Sequence, residues 1–212
     1  MPGAIRNVTR RDRELRLILT IAVLPLGNVT VVLFGEDVCD IGAMIADRPC
    51  MMQDDRFLKQ SGAYVLSIEL KDGFQGTVGN LGDIALPPGL YLYFGSARGP
   101  GGLAARLKRH IRSEKKPHWH VDWLTLAGQV VEFLAVPDGH ECALCQRATA
   151  LKNLMVPVTG FGSSDCHLCP AHLLSVLDEG SPLLRKLAEI MGGKIYSAAS
   201  LLPTTAAHPS TV

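Results

Sequence analysis

Five side chains in the middle of this 212-residue chain are of the types that hydrolyse a phosphodiester bond. That reaction needs a positioned water, a cation to take up the charge that shifts onto the phosphoryl oxygens, and usually a divalent metal held by a carboxylate. Arg106 and His110 are four residues apart, so on a helix they emerge side by side. Tyr64 and Tyr93 sit in two apolar, β-prone runs expected to be neighbouring strands. Glu141 falls in the first turn of an expected helix, beside a strand end, where a carboxylate is easily presented to a metal. Each residue also has an ordinary use. Strand tyrosines are commonly half-buried core, and a Glu at a helix start is a favourable partner for the helix dipole.

The formal net charge is only +1, so bulk charge gives no support for nucleic-acid binding, and any such role rests on local clustering. A cluster is present. Seven basic residues, counting His110, fall between Arg106 and Lys116, opposed only by Glu114. Arg98, Lys108, Arg109, Arg112, Lys115 and Lys116 are therefore the candidate nucleic-acid contacts, with a solvated helix face as the plainer reading.

A second constellation is built on sulfur. Cys142-x-x-Cys145 and Cys166-x-x-Cys169 are separated by 20 residues, the spacing of a four-cysteine zinc site, and His172 is a substitute ligand. Their alternative is a set of buried thiols behaving as small hydrophobes. Two C-x-x-C pairs without a clear secretory signal point to metal or thiol chemistry in a reducing cytoplasm more than to disulfides.

The elements that must position these groups are legible in part. With 47% apolar and 19% charged residues, the chain has enough apolar surface for one folded domain of ordinary size. Ala63–Leu70 and Leu90–Gly95 read as strands, and Gly76, Gly79 and Gly82 mark a loop between them. Leu103, Leu107 and Ile111 form the apolar stripe of a helix. A second helix opens near Pro117, a third strand covers Gln129–Val136, a helix runs from His140 to Leu154, and a helical tail from Ala171 to Leu177. The elements begin in the order β-β-α-α-β.

Three regions follow: an N-terminal extension over 1–60, a main domain over 61–178 that ends in the cysteine cluster, and a helical and flexible tail over 179–212. The extension carries five arginines up to Arg16 before apolar runs at Leu17–Leu24 and Val29–Phe34. This imitates a signal peptide but lacks a small-x-small cleavage site, so a strand pair is the preferred reading. A partly disordered extension, or an upstream start of the reading frame that adds little structure, are the other readings of this region. No apolar run is long enough to span a bilayer, and no internal repeat stands out.

Taken in order, the motifs resemble the GIY-YIG nucleases from Gly62 to about Leu174. Gly62-Ala63-Tyr64 is similar to the first signature element and Tyr93-Phe94-Gly95 to the second; Arg106, His110 and Glu141 are similar to the arginine, the Tyr/His one turn later and the glutamate that follow. Trp119-His120-Val121-Asp122, His140-Glu141-Cys142 and the stretch Gly160–Cys166 resemble one branch of that family, found alone or fused to endonuclease III-type DNA repair enzymes. The resemblance implies an α+β fold, a small antiparallel sheet flanked by helices, and an endonuclease of DNA repair or processing, with RNA not excluded, a repair protein as partner, and one Mg²⁺ or Mn²⁺ on Glu141. Arg106 would stabilise the transition state, Tyr93 would position or deprotonate the attacking water, and Tyr64 and His110 would assist proton transfer. It also implies a zinc set of Cys142, Cys166, Cys169 and His172, with Cys145 as the alternative. The competing functional readings are a nucleic-acid binding or adaptor module with the same fold, and a zinc- or thiol-based regulatory protein.

Overall fold

The computed structural model describes residues 18–23, 29–34, 56–178 and 182–202. The chain divides into two units, Met1–Gln53 and Asp54–Val212. In the first, β1 (Ile18–Val23) and β2 (Val29–Phe34) pair antiparallel, with Val23 opposite Val29 and Ile18 opposite Phe34. The strand pair expected of the two apolar runs is present, and the rest of 1–55 lies outside the described residues.

The second unit is α+β, built on a six-stranded sheet, antiparallel at every pairing, in the order β10 (Lys194–Ser197), β7 (Gln129–Pro137), β3 (Gly62–Leu70), β6 (Gly89–Ala97), β9 (Leu173–Val176) and β8 (Leu154–Met155). At its centre β3 (Gly62–Leu70) lies between β6 (Gly89–Ala97) and β7 (Gln129–Pro137). The near-continuous apolar run of β3 is explained by cover on both faces, since alternate side chains enter opposite layers. Tyr64, Leu66 and Ile68 join Leu103 and Leu107 of α1 (Gly102–Ile111) and Val121 and Leu124 of α2 (His120–Ala127). Ala63 and Val65 face the other way, onto Leu144 and Ala148 of α3 (Glu141–Thr149) and Leu184 and Leu187 of α4 (Leu183–Met191). A buried leucine such as Leu107 or Leu144, both 0% exposed, contributes roughly 1.5–3 kcal/mol by leaving water.

Four differences from the sequence reading matter. The glycine-rich stretch after β3 is a hairpin, β4 (Phe74–Thr77) with β5 (Asp83–Leu86), rather than a loop. The helix expected to reach Leu154 stops at Thr149 and is followed by β8 (Leu154–Met155). Ala171–Leu177, expected to be helical, contains β9 (Leu173–Val176), which lies beside β6 with Leu174 opposite Leu92. A short apolar run is ambiguous between helix and strand, and sheet pairing with β6 decides it. Lastly, α4 is followed by Gly192 in the left-handed region (φ 72°) and by β10 (Lys194–Ser197), which pairs with β7. The glycine stops the helix, as is usual at that position, so the tail read over 179–212 is helical at α4 and adds a strand to the sheet at 194–197. Residues 203–212 lie outside those described.

Candidate active site

The register of β3 and β6 builds the first wall. Tyr64 stands opposite Gly95 and Leu66 opposite Tyr93, so the two tyrosines are diagonal neighbours on one face. Gly95 is what allows this. A Cβ there would lie 2.3 Å from the Tyr64 hydroxyl oxygen, so Gly95→Ala should dislodge the ring and lower stability by about 1–3 kcal/mol, the usual cost of overpacking. A thermal melt matching that of the unchanged protein would contradict this packing.

Behind Tyr64 runs a buried polar line. Its hydroxyl is 2.8 Å from His110 Nε2, and His110 Nδ1 lies 3.3 Å from Asp122 Oδ1 without closing a well-aligned hydrogen bond. Tyr64, His110 and Asp122 are 2%, 1% and 0% exposed. Asp122 is held at its other oxygen by the backbone N–H groups of His118 (2.9 Å) and Trp119 (3.0 Å) and by Arg109 Nη2 (3.1 Å). Burial alone would raise its pKa, but the His110 contact and the two backbone donors hold the carboxyl well below the usual carboxylate range. Burial pushes His110 below its ordinary value, with Asp122 pulling the other way. A neutral ring whose Nδ1–H faces Asp122 leaves Nε2 to accept from the Tyr64 O–H.

Tyr64, Tyr93, Arg106, Trp119 and Glu141 line one cleft of about 740 Å³. The Arg106 guanidinium stacks on the Trp119 ring at 3.8 Å, and that of Arg109 lies 4.5 Å from it. Burial, and then the charges of Asp122 and Glu141 among others, push both tyrosine hydroxyls well above their ordinary range, with Arg106 acting the other way. Both phenols therefore keep their protons at neutral pH. Glu141 stands in the first turn of α3, after His140 at the N-cap position. Four of the five residues singled out for chemistry thus face one space, and His110 supports Tyr64 from beneath.

The basic run divides. Arg106 is the one Lys or Arg of the described residues that lines this cleft. Arg109 is spent on Asp122 and the Lys116 carbonyl, and Arg98 on His140 Nδ1 (2.9 Å) and the Gly139 carbonyl. Lys115 donates to the His110 carbonyl and to Thr125 Oγ1, and burial pushes its ammonium down to about 8. Lys108, Arg112 and Lys116 are exposed; Arg112 borders a different cleft, with Glu114 and Leu126.

The ligand atoms of Cys142, Cys166, Cys169 and His172 lie within 4.8 Å of one another. Cys142 Sγ is 3.4 Å from Cys166 Sγ and 3.7 Å from His172 Nε2, close to the roughly 3.5–3.8 Å edges of a tetrahedron with zinc–sulfur and zinc–nitrogen bonds of ordinary length. Of the described cysteines, 142, 145, 166 and 169, all are free thiols. Cys145, the alternative ligand, is turned away; its S–H donates to the Ala171 carbonyl at 3.2 Å inside the core. Burial and neighbouring thiols push Cys142 and Cys169 up to about 12. Cys166, which burial alone would raise, is lowered by the Leu168 backbone N–H and its thiol neighbours. Cys142, Cys166 and His172 also line the cleft.

A family model described as a domain of unknown function, DUF123, matches residues 63–193, more than half of the chain and all of the cleft. The chain belongs to the DUF123 family. This corrects the resemblance drawn from the short motifs: DUF123 is distinct from the GIY-YIG nucleases, and Tyr64, Tyr93, Arg106, His110 and Glu141 all fall within the DUF123 match. No curated protein and no solved structure matches the chain. The DUF123 match extends beyond β9 to Gly193, so it takes in α4, which the motif reading had placed outside the main domain. Two residues that build the site were not singled out for chemistry by sequence. Trp119 lines the cleft and carries the Arg106 guanidinium, and the buried Asp122 anchors His110. An Asp at the third position of α2 signals a helix cap and nothing more. Among the described residues, no helix is long and apolar enough to cross a membrane.

Proposed function

We propose that this DUF123 domain is a divalent-metal-dependent hydrolase of phosphodiester bonds in nucleic acid, with DNA in repair or processing as its setting. The observation that carries the reading is the convergence of Arg106, Glu141, Tyr93 and the His110-backed Tyr64 on a single open cleft. The donor set suits magnesium or manganese. Such an ion keeps several waters and takes one or two carboxylates plus the substrate's phosphate; Glu141 supplies one carboxylate and the exposed Asp165 stands on the same lining. When bound, the ion supplies Lewis-acid polarisation of the phosphoryl group.

The remaining work falls to the chain. Arg106, its guanidinium plane fixed on Trp119, would take up charge at the phosphoryl oxygens. Tyr93 keeps its proton and would orient the attacking water as a donor, in preference to deprotonating it. As water oxygen bonds to phosphorus, a water proton passes to Tyr64 while the Tyr64 proton passes to His110 Nε2, and the ester oxygen leaves and takes up a proton from solvent in the open cleft. Asp122 stabilises the imidazolium so formed. The cysteine–histidine cluster has the composition of a structural zinc site, four protein ligands with none left open.

Purified protein with Mg²⁺ is expected to nick some member of a panel of branched, nicked, single-stranded and duplex DNA and RNA. Glu141→Ala should lose the cutting and keep salt-dependent binding. Binding without cleavage across the whole panel would sink the hydrolase and leave the adaptor.

A further inference from the structure

The four members of the thiol–imidazole cluster come from two elements that also carry the cleft. Cys142 follows Glu141 in the first turn of α3. Cys166, Cys169 and His172 lie on the 160–172 segment, whose Gly162 rests on Tyr93: a Cβ there would come within 2.7 Å of the ring, and its φ is 73°. The ends of this segment are tied together, Gly160 N–H to the Pro170 carbonyl at 2.7 Å and His172 N–H to the Phe161 carbonyl at 2.8 Å. One end is fastened to β6 by Phe94 N–H donating to the His172 carbonyl at 2.9 Å. Its middle is held differently. Cys166 meets Cys142 at 3.4 Å and Cys169 Sγ approaches the Cys142 carbonyl at 3.9 Å, while Leu168 between them is 72% exposed. What joins the middle of this segment to the first turn of α3 is therefore sulfur.

We propose that one zinc ion on Cys142, Cys166, Cys169 and His172 assembles the cleft. It clamps the 160–172 segment to the first turn of α3 and so sets Glu141 and Tyr93 relative to each other. The consequence for hydrolysis rests on the function proposed above; the clamp itself does not.

The 212-residue chain, purified under reducing conditions without chelator, should carry one zinc per chain by mass spectrometry. Cys142→Ser and Cys166→Ser should lose it and Cys145→Ala should keep it. Stripping the metal from the unmutated chain and following amide hydrogen exchange avoids variants that fold poorly. Exchange in 141–145 and 160–172 should rise at least tenfold while β3 and β7 stay protected, and Mg²⁺-dependent cleavage should fall roughly tenfold to a hundredfold, recovered by zinc and not by more magnesium. Absence of zinc, zinc retained in Cys142→Ser, or exchange that is unchanged or raised uniformly through the sheet each overturns the proposal. A zinc-dependent change confined to those two segments, in protein that cuts nothing in any state, supports the clamp and removes the hydrolase reading alone.

Discussion

Arg106→Ala is expected to reduce Mg²⁺-dependent cleavage by about 10²–10³-fold, the usual effect of removing one charge-stabilising donor from a reaction centre. The fold should barely notice. Arg106 is half-buried and its visible partner is the Trp119 ring, a contact worth about 0.5–1 kcal/mol at a partly exposed site. Arg106→Lys should not restore the rate, because an ammonium neither stacks as a plane nor presents two parallel donors to a phosphoryl group. Single-turnover cleavage with saturating protein separates this from weakened binding, since a binding contact alone would raise the concentration needed and leave the maximal rate intact. A full maximal rate in Arg106→Ala would remove Arg106 from the chemistry, and with it the best-placed cation of the cleft.

Asp122→Ala carries the second large effect, this time on stability. The carboxylate is fully buried and faces Arg109, His110 and two backbone N–H groups. Removing one partner of a buried charged set leaves the others unpaired, at a cost of about 3–5 kcal/mol. For a chain of this size the melting temperature should then fall by on the order of 10 °C. Asp122→Asn keeps the shape and separates the two roles. Its amide can still accept from the backbone, but it can also donate to His110 Nδ1, which would move the ring proton to Nε2 and leave His110 unable to accept the Tyr64 proton. Cleavage should therefore drop further than stability does. The carboxylate also sets an acid limit. Its folded pKa lies below its unfolded value, so its contribution is complete above the ordinary Asp value near 4 and is lost as pH falls from there toward the folded pKa. The acid unfolding midpoint of Asp122→Asn should sit higher than that of the unchanged chain; coincident midpoints would mean that Asp122 is not stabilised as described.

Much of the site was legible because period and spacing are local. Two β-prone runs placed Tyr64 and Tyr93 on paired strands, and a four-residue interval set Arg106 and His110 on one side of a helix. What periodicity could not supply was depth. His110 reads as one more cation of a basic helix, yet it falls three residues beyond Leu107 and turns inward with it. Arg109 and Lys115 likewise read as phosphate contacts, and only the buried Asp122 and the free carbonyl at the end of α1 explain why they fold back. The strand at Leu173–Val176 was missed because four apolar-rich residues carry no decisive period, and their partner in the sheet is some eighty positions earlier. The family resemblance failed for a related reason: short signatures such as Gly-x-Tyr specify a glycine beside an aromatic on paired strands, a requirement of packing that distinct families can share.

The two outermost strands have a consequence for solubility. The long interior strands β3, β6 and β7 would be aggregation-prone templates if either stood at a border, since an open edge recruits strands from other chains. The borders are instead β8, two residues long, and β10, four residues long and closed by the turn over 198–201. Each offers too few unsatisfied amides to seed a stable intermolecular ladder, so an apolar sheet of this width can remain dispersed at the concentrations that the assays above require.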